Sequence, residues 1–118
     1  MLRLAHLNLT VSDVDRSDEF YRRWFAFDRV LAEYDDGTRF VSDASGFVLG
    51  LHRGGPAASS LDWHFGFLAS DQATVRELRT AMTAAGVVVI DPEDSRGYVG
   101  FKCADPDGYI VEVYFEPR

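Results

Sequence analysis

The chain has 118 residues, a hydrophobic fraction of 47%, an aromatic fraction of 14% and a formal net charge of −7. That apolar content excludes disorder, and acidic charge scattered along the chain makes nucleic acid and anionic membrane poor partners. One cysteine, Cys103, excludes an internal disulfide and suits a reducing compartment; no apolar run approaches the ~20 residues of a membrane span, so a soluble cytoplasmic protein is expected.

Leu4 to Val11 alternates, with Leu7, Leu9 and Val11 on one face and His6, Asn8 and Thr10 on the other, which predicts a half-buried strand. Asp13 or Asp15 then caps a helix whose Phe20, Tyr21, Trp24, Phe25 and Phe27 recur at helical spacing and read as core. Arg29 to Tyr34 is a strand, Asp35-Asp36-Gly37 a hairpin signal, and Thr38 to Ser42 the returning strand. After a turn at Ser45-Gly46, Phe47 to Arg53 is a fourth strand, with Leu49 and Leu51 on one face and Gly50 and His52 on the other.

Residues 54–60, Gly-Gly-Pro-Ala-Ala-Ser-Ser, are the one stretch with linker composition. A strand from Asp62 to Ala69 follows, then a helix capped at Ser70 or Asp71, with Val75, Leu78, Met82 and Ala85 as its buried stripe and Gly86 as its C-terminal cap. Val87 to Ile90 is a strand, Asp91 to Gly97 a polar loop, Tyr98 to Ala104 a strand and Tyr109 to Phe115 the last.

Two phrases recur. Residues 43–52 lie over residues 105–114 with Asp, Gly, an aromatic and two aliphatics in register, and residues 6–13 lie over 64–71, each opening on a histidine and closing on Ser-Asp. The chain is thus a diverged tandem duplication of a βαβββ module, 1–53 and 61–118 joined by a linker at 54–60. The expected class is α+β. One helix covers the apolar face of each four-stranded sheet, and the other faces are left for a ligand.

By alternation, the uncovered faces display His6, Asn8 and Thr10, Gly50 and His52, His64 and Gly66, and Ile110, Glu112 and Tyr114. If the copies pair about a pseudo-twofold axis, His6 faces His64 and Gly50 faces Glu112. Two histidines and one carboxylate from three strands form the facial triad that holds a divalent ion and leaves positions open. Imidazole and carboxylate suit Fe, Mn, Zn, Ni or Co, among which the residues do not choose.

His6 followed by Asp13 and the Phe20-Tyr21 helix, His64 followed by Asp71, and Asp105-Pro106-Asp107-Gly108 with Glu112 resemble the vicinal oxygen chelate superfamily. Glyoxalase I, extradiol dioxygenases, fosfomycin resistance enzymes and bleomycin resistance proteins belong to it. The resemblance implies paired βαβββ modules forming a cup-shaped mixed sheet with helices outside and one divalent metal, held here by His6, His64 and Glu112. It also implies electrophilic catalysis on a small oxygenated substrate, and a homodimer.

Asn8 and Tyr114 would then contact substrate, Lys102 would meet an anionic group, and Tyr98 joins them as a candidate by similarity to the proton-handling tyrosine of extradiol enzymes. The base would be His52, a metal hydroxide or the substrate itself. Gly50 stands where glyoxalase I has its fourth ligand. Asn8 and Lys102 stand where fosfomycin enzymes have threonine and tyrosine. These departures argue against both activities and leave a dioxygenase or lyase; the alternative is a metal-free, drug-sequestering binder of the bleomycin-resistance type.

Overall fold

A computed structural model describes residues 1–57 and 62–117. Two compact units divide the chain, Met1–Ala57 and Ala58–Arg118. The expected linker at 54–60 lies partly outside the described residues.

In the first unit, β1 (His6–Val11), α1 (Val14–Phe25), β2 (Arg29–Glu33), β3 (Arg39–Ser42) and β4 (Val48–Arg53) follow in order. The sheet order is β1-β4-β3-β2, with β1 parallel to β4 and the other pairs antiparallel. Alternation places Leu9, Val11, Leu49 and Leu51 in the core with Phe20, Tyr21 and Phe27 of the helical segment, while His6 and Asn8 remain exposed on the other face. Burying each such aliphatic or aromatic side chain contributes about 1.5–3 kcal/mol before conformational entropy is counted. The cap of α1 is Asp13, whose side chain accepts from Arg16 N at 3.1 Å; Asp15 sits in the first turn and pairs with Arg39.

The second unit repeats this plan with β5 (Phe65–Leu68), α2 (Gln72–Ala84), β6 (Val89–Asp94), β7 (Val99–Ala104) and β8 (Ile110–Phe115). Its sheet order is β5-β8-β7-β6, with β5 parallel to β8. Asp71 caps α2 by accepting from Thr74 N at 2.7 Å. The helix ends where Gly86 takes φ +84°, so that Gly86 N reaches Thr83 O and Val87 N reaches Met82 O. Val75 and Met82 are buried as the periodicity predicts. Ala85 is a correction: it is the capping residue beyond the last turn, and it is exposed.

Two further expectations are corrected. The segment from Asp91 does not leave the sheet: β6 continues to Asp94 across a bulge between Ile90 and Glu93, where Asp91 takes φ +47°. A polar sequence with a proline therefore reads as a loop while still pairing with β7. β5 is also shorter than predicted, so His64 lies just before the strand rather than within it.

The repeated Asp-containing phrase has a structural cause. Asp105 Oδ1 accepts from Asp107 N and Tyr109 N, both at 2.9 Å, and Asp43 Oδ1 accepts from Ser45 N at 3.0 Å and Phe47 N at 3.2 Å. In each unit a carboxylate organises the turn into the last strand, and Gly46 (φ +89°) or Gly108 (φ +87°) closes it. The phrase most conspicuous in the sequence is a folding device that aims β4 and β8.

Candidate functional site

The strand aimed by Asp105 places Val111 and Val113 in the core, at 0% and 3% exposure, and so turns Ile110, Glu112 and Tyr114 to the opposite face. Glu112 lies across from Gly66 on β5 and Lys102 on β7, and Tyr114 across from Gly100. A Cβ at Gly66 would stand 3.2 Å from Glu112 O and 3.3 Å from its Cβ, so the missing side chain leaves the carboxylate open to one side. A recess of about 350 Å³ lies there, lined by His64, Gly66, Tyr98, Glu112, Tyr114 and Glu116.

Both carboxylate oxygens of Glu112 are engaged. His64 Nε2 is 2.9 Å from Oε1, and the Tyr98 hydroxyl donates to Oε2. The Tyr98 and Tyr114 rings stack with centroids 6.0 Å apart and planes 17° apart. Partial burial pushes the Glu112 carboxyl up, but the hydrogen bonds of Tyr98 and His64 and the charge of Lys102 outweigh it and hold the group below its ordinary value. Burial, then the bond to Glu112, raises the Tyr98 phenol above its ordinary range, so Tyr98 keeps its proton and is a hydrogen-bond donor at neutral pH.

Lys102 shares the Glu112 face by register, and its Nζ lies 3.9 Å from Asp91 Oδ2 on the bulge of β6. Cys103, buried on the opposite face, has its thiol pushed up to about 12 by desolvation and then by the charge of Asp105, which removes it as a nucleophile.

The first unit holds the remaining expected residues. His6 and Asn8 are exposed on β1, opposite Val48 and Gly50 of β4. Phe40 and Asn8 flank Gly50 as Lys102 and Gly66 flank Glu112, which fixes the correspondence between the two copies. The volume above Gly50 is already filled, because a Cβ there would meet Asn8 Oδ1, Phe40 Cε1 at 2.9 Å and His52 Nε2 at 3.1 Å. His52 lies edge-on to Phe40 at 5.7 Å, its Nε2 buried without a hydrogen-bond partner among the described residues.

His64 and Glu112 are thus brought together, with Tyr98, Tyr114 and Lys102 around them. Among the described residues no group of three or more His, Cys, Asp or Glu side chains is placed to hold a metal ion. Two donors about 2.1 Å from one ion at right angles stand roughly 3 Å apart, so the His64 and Glu112 pair fits two neighbouring positions on a divalent metal. Glu116 was not singled out by sequence; continuing the alternation of 112 and 114 past the strand end would have found it. Another recess, of about 390 Å³, lies at the start of α1 beside Arg39, but that guanidinium is already paired with carboxylates.

A family model, "Glyoxalase/Bleomycin resistance protein/Dioxygenase superfamily", matches residues 3–113. An uncharacterized protein of Pseudomonas aeruginosa is 32% identical, covering 95% of this chain and 87% of its own length. The structure of a possible glyoxalase from Bacillus cereus is 26% identical with TM-score 0.82, covering 96% of this chain and 98% of that one. The fosfomycin resistance protein FosX of Listeria monocytogenes, complexed with Mn(II) and sulfate, shares the fold at 18% identity and TM-score 0.82, covering 99% and 92%.

Proposed function

The chain belongs to the glyoxalase/bleomycin resistance protein/dioxygenase superfamily, and from that premise we propose that it is a divalent-metal-dependent enzyme acting on a small oxygenated substrate. The observation that carries this reading is the 2.9 Å approach of His64 Nε2 to an ionised Glu112. An imidazole nitrogen and a carboxylate oxygen sharing one proton in a recess are the two groups a metal ion binds when it displaces that proton. The duplication names His6 as the third ligand, and this rests on the sequence alone.

The ion, one of Fe, Mn, Zn, Ni or Co, would supply electrophilic stabilisation of negative charge developing on a substrate oxygen. Asn8, Tyr114 and Lys102 are the proposed substrate contacts. Lys102 brings a positive charge close enough to act on Glu112, which favours an anionic or enolisable substrate. His52, whose Nε2 has no hydrogen-bond partner among the described residues, is the proposed proton acceptor. Gly50 carries no ligand, and Asn8, Phe40 and His52 fill the volume above it; this supports a dioxygenase or lyase reaction other than that of glyoxalase I. Among the described residues no helix is long and apolar enough to cross a membrane. A cytoplasmic location and a homodimer are part of the proposal.

A second reading has its own observation. The stacked Tyr98 and Tyr114 rings beside the recess favour a planar ligand, as a metal-free drug-binding protein would.

Metal analysis of anaerobically purified protein, wild type beside Glu112→Gln, separates the two. About one equivalent of a transition metal in the wild type, lost in the variant with an unchanged far-UV spectrum, is expected. Wild-type protein with no metal and no affinity for any of the five ions would remove the enzymatic reading and leave the binding one.

A further inference from the structure

We propose that Tyr98 is a positioning residue that holds Glu112 as a one-oxygen metal ligand. This rests on the metal reading above and assigns how the ligand is presented. A carboxylate can bind an ion through one oxygen or both, and the choice decides how many coordination positions remain for water and substrate. In this chain the two oxygens are already differentiated. Oε1 faces the ligating nitrogen of His64, and Oε2 accepts the Tyr98 hydroxyl.

The seat of Tyr98 is built for this contact. Tyr98 precedes β7, and its ring folds back over Gly100, where a Cβ would lie 2.7 Å from both Cε1 and Cζ of the ring. Any other residue at position 100 would push the ring off the sheet. Tyr114, opposite Gly100 in register, stacks with the ring at an interplanar angle of 17°. With glycine below it and an aromatic plate beside it, the phenol lies where its oxygen reaches Glu112. The hydroxyl donates to Oε2 and so occupies that oxygen without itself taking a place on the ion.

Metal-ligand carboxylates held by an outer partner bind their metal 10–100-fold more tightly than the same ligands left free. The bond from Tyr98 fixes the carboxylate plane before the ion arrives. It also withholds the second oxygen from coordination, keeping one more position open.

The experiment titrates metal-free wild type, Tyr98→Phe and Gly100→Ala with Mn(II), following free ion by electron paramagnetic resonance. Infrared difference spectra, Mn(II)-loaded minus metal-free, then report the separation of the antisymmetric and symmetric carboxylate stretches of the ligand that changes. Tyr98→Phe keeps the ring and its stacking and removes only the donor. We expect it to bind Mn(II) about tenfold or more weakly and to narrow the band separation toward two-oxygen coordination. Gly100→Ala, which unseats the ring, is expected to shift both readouts the same way.

Wild-type affinity and an unchanged difference spectrum in Tyr98→Phe would overturn the proposal while leaving the metal site standing. So would variants that lower only the thermal midpoint, since that is what a packing role predicts. Wild type that binds no Mn(II), Fe(II), Zn(II), Ni(II) or Co(II) would overturn the metal reading, and this inference with it.

Discussion

His64 Nε2 stands 2.9 Å from Glu112 Oε1, joining the residue just before β5 to the middle of the parallel strand β8. The carboxylate is held below its ordinary value, because burial is outweighed by the bonds from Tyr98 and His64 and by the Lys102 charge. A depressed carboxyl contributes stability above its unfolded value, about 4.3 for glutamate, and that stability is lost as pH falls through the lower folded value. Metal-free wild type should therefore exceed Glu112→Gln in stability above about pH 5, and the gap should close on acidification below it. Urea denaturation of both proteins between pH 7 and pH 3 checks this; a gap that widens toward low pH would contradict the assignment.

Gly50 and Asn8 set a second prediction. The copy-equivalent of Glu112 carries no side chain, and Asn8, Phe40 and His52 occupy its space. Overpacking of this kind costs about 1–3 kcal/mol, and Phe40 yields less readily than the short end of Asn8. Gly50→Ala should lose that much in chemical denaturation, and Asn8→Ala in the same chain should return part of it. An alanine at position 50 tolerated without loss would show that the face is looser than its contacts indicate.

Arg39 on β3 ties α1 to the sheet through Asp18 at 2.7 Å and Asp15 at 2.8 Å, with Glu33 of β2 at 2.9 Å. Asp18 is buried, and its remaining cation, Arg22, is at 3.6 Å. Arg39→Ala should cost about 2–3 kcal/mol, below the ~3–5 of a fully enclosed pair because Arg22 stays. Arg39→Lys should recover little, since one ammonium cannot replace a planar fork serving several carboxylates. Full recovery by lysine would mean that charge alone, without geometry, holds the helix.

The order of elements, the buried faces of the strands and the placement of Glu112 on the open face of its sheet were legible in the sequence. These follow from two short-range rules, side-chain alternation along a strand and cap-to-cap periodicity in a helix, and both are written in neighbouring residues. The aspartate turns were visible as a repeat, though their hydrogen bonds into the last strands were not. Tertiary structure decided what alternation cannot see. Asp91 to Asp94 stays paired across a bulge because β7 offers partners to a polar segment that looks like a loop. Tyr98 reaches Glu112 because Gly100, two residues on, leaves room for a ring lying along the sheet, and Gly50 is closed by side chains from both neighbouring strands. Such contacts depend on what is missing from an adjacent position, and the space left by a missing side chain exists only once the strands have paired.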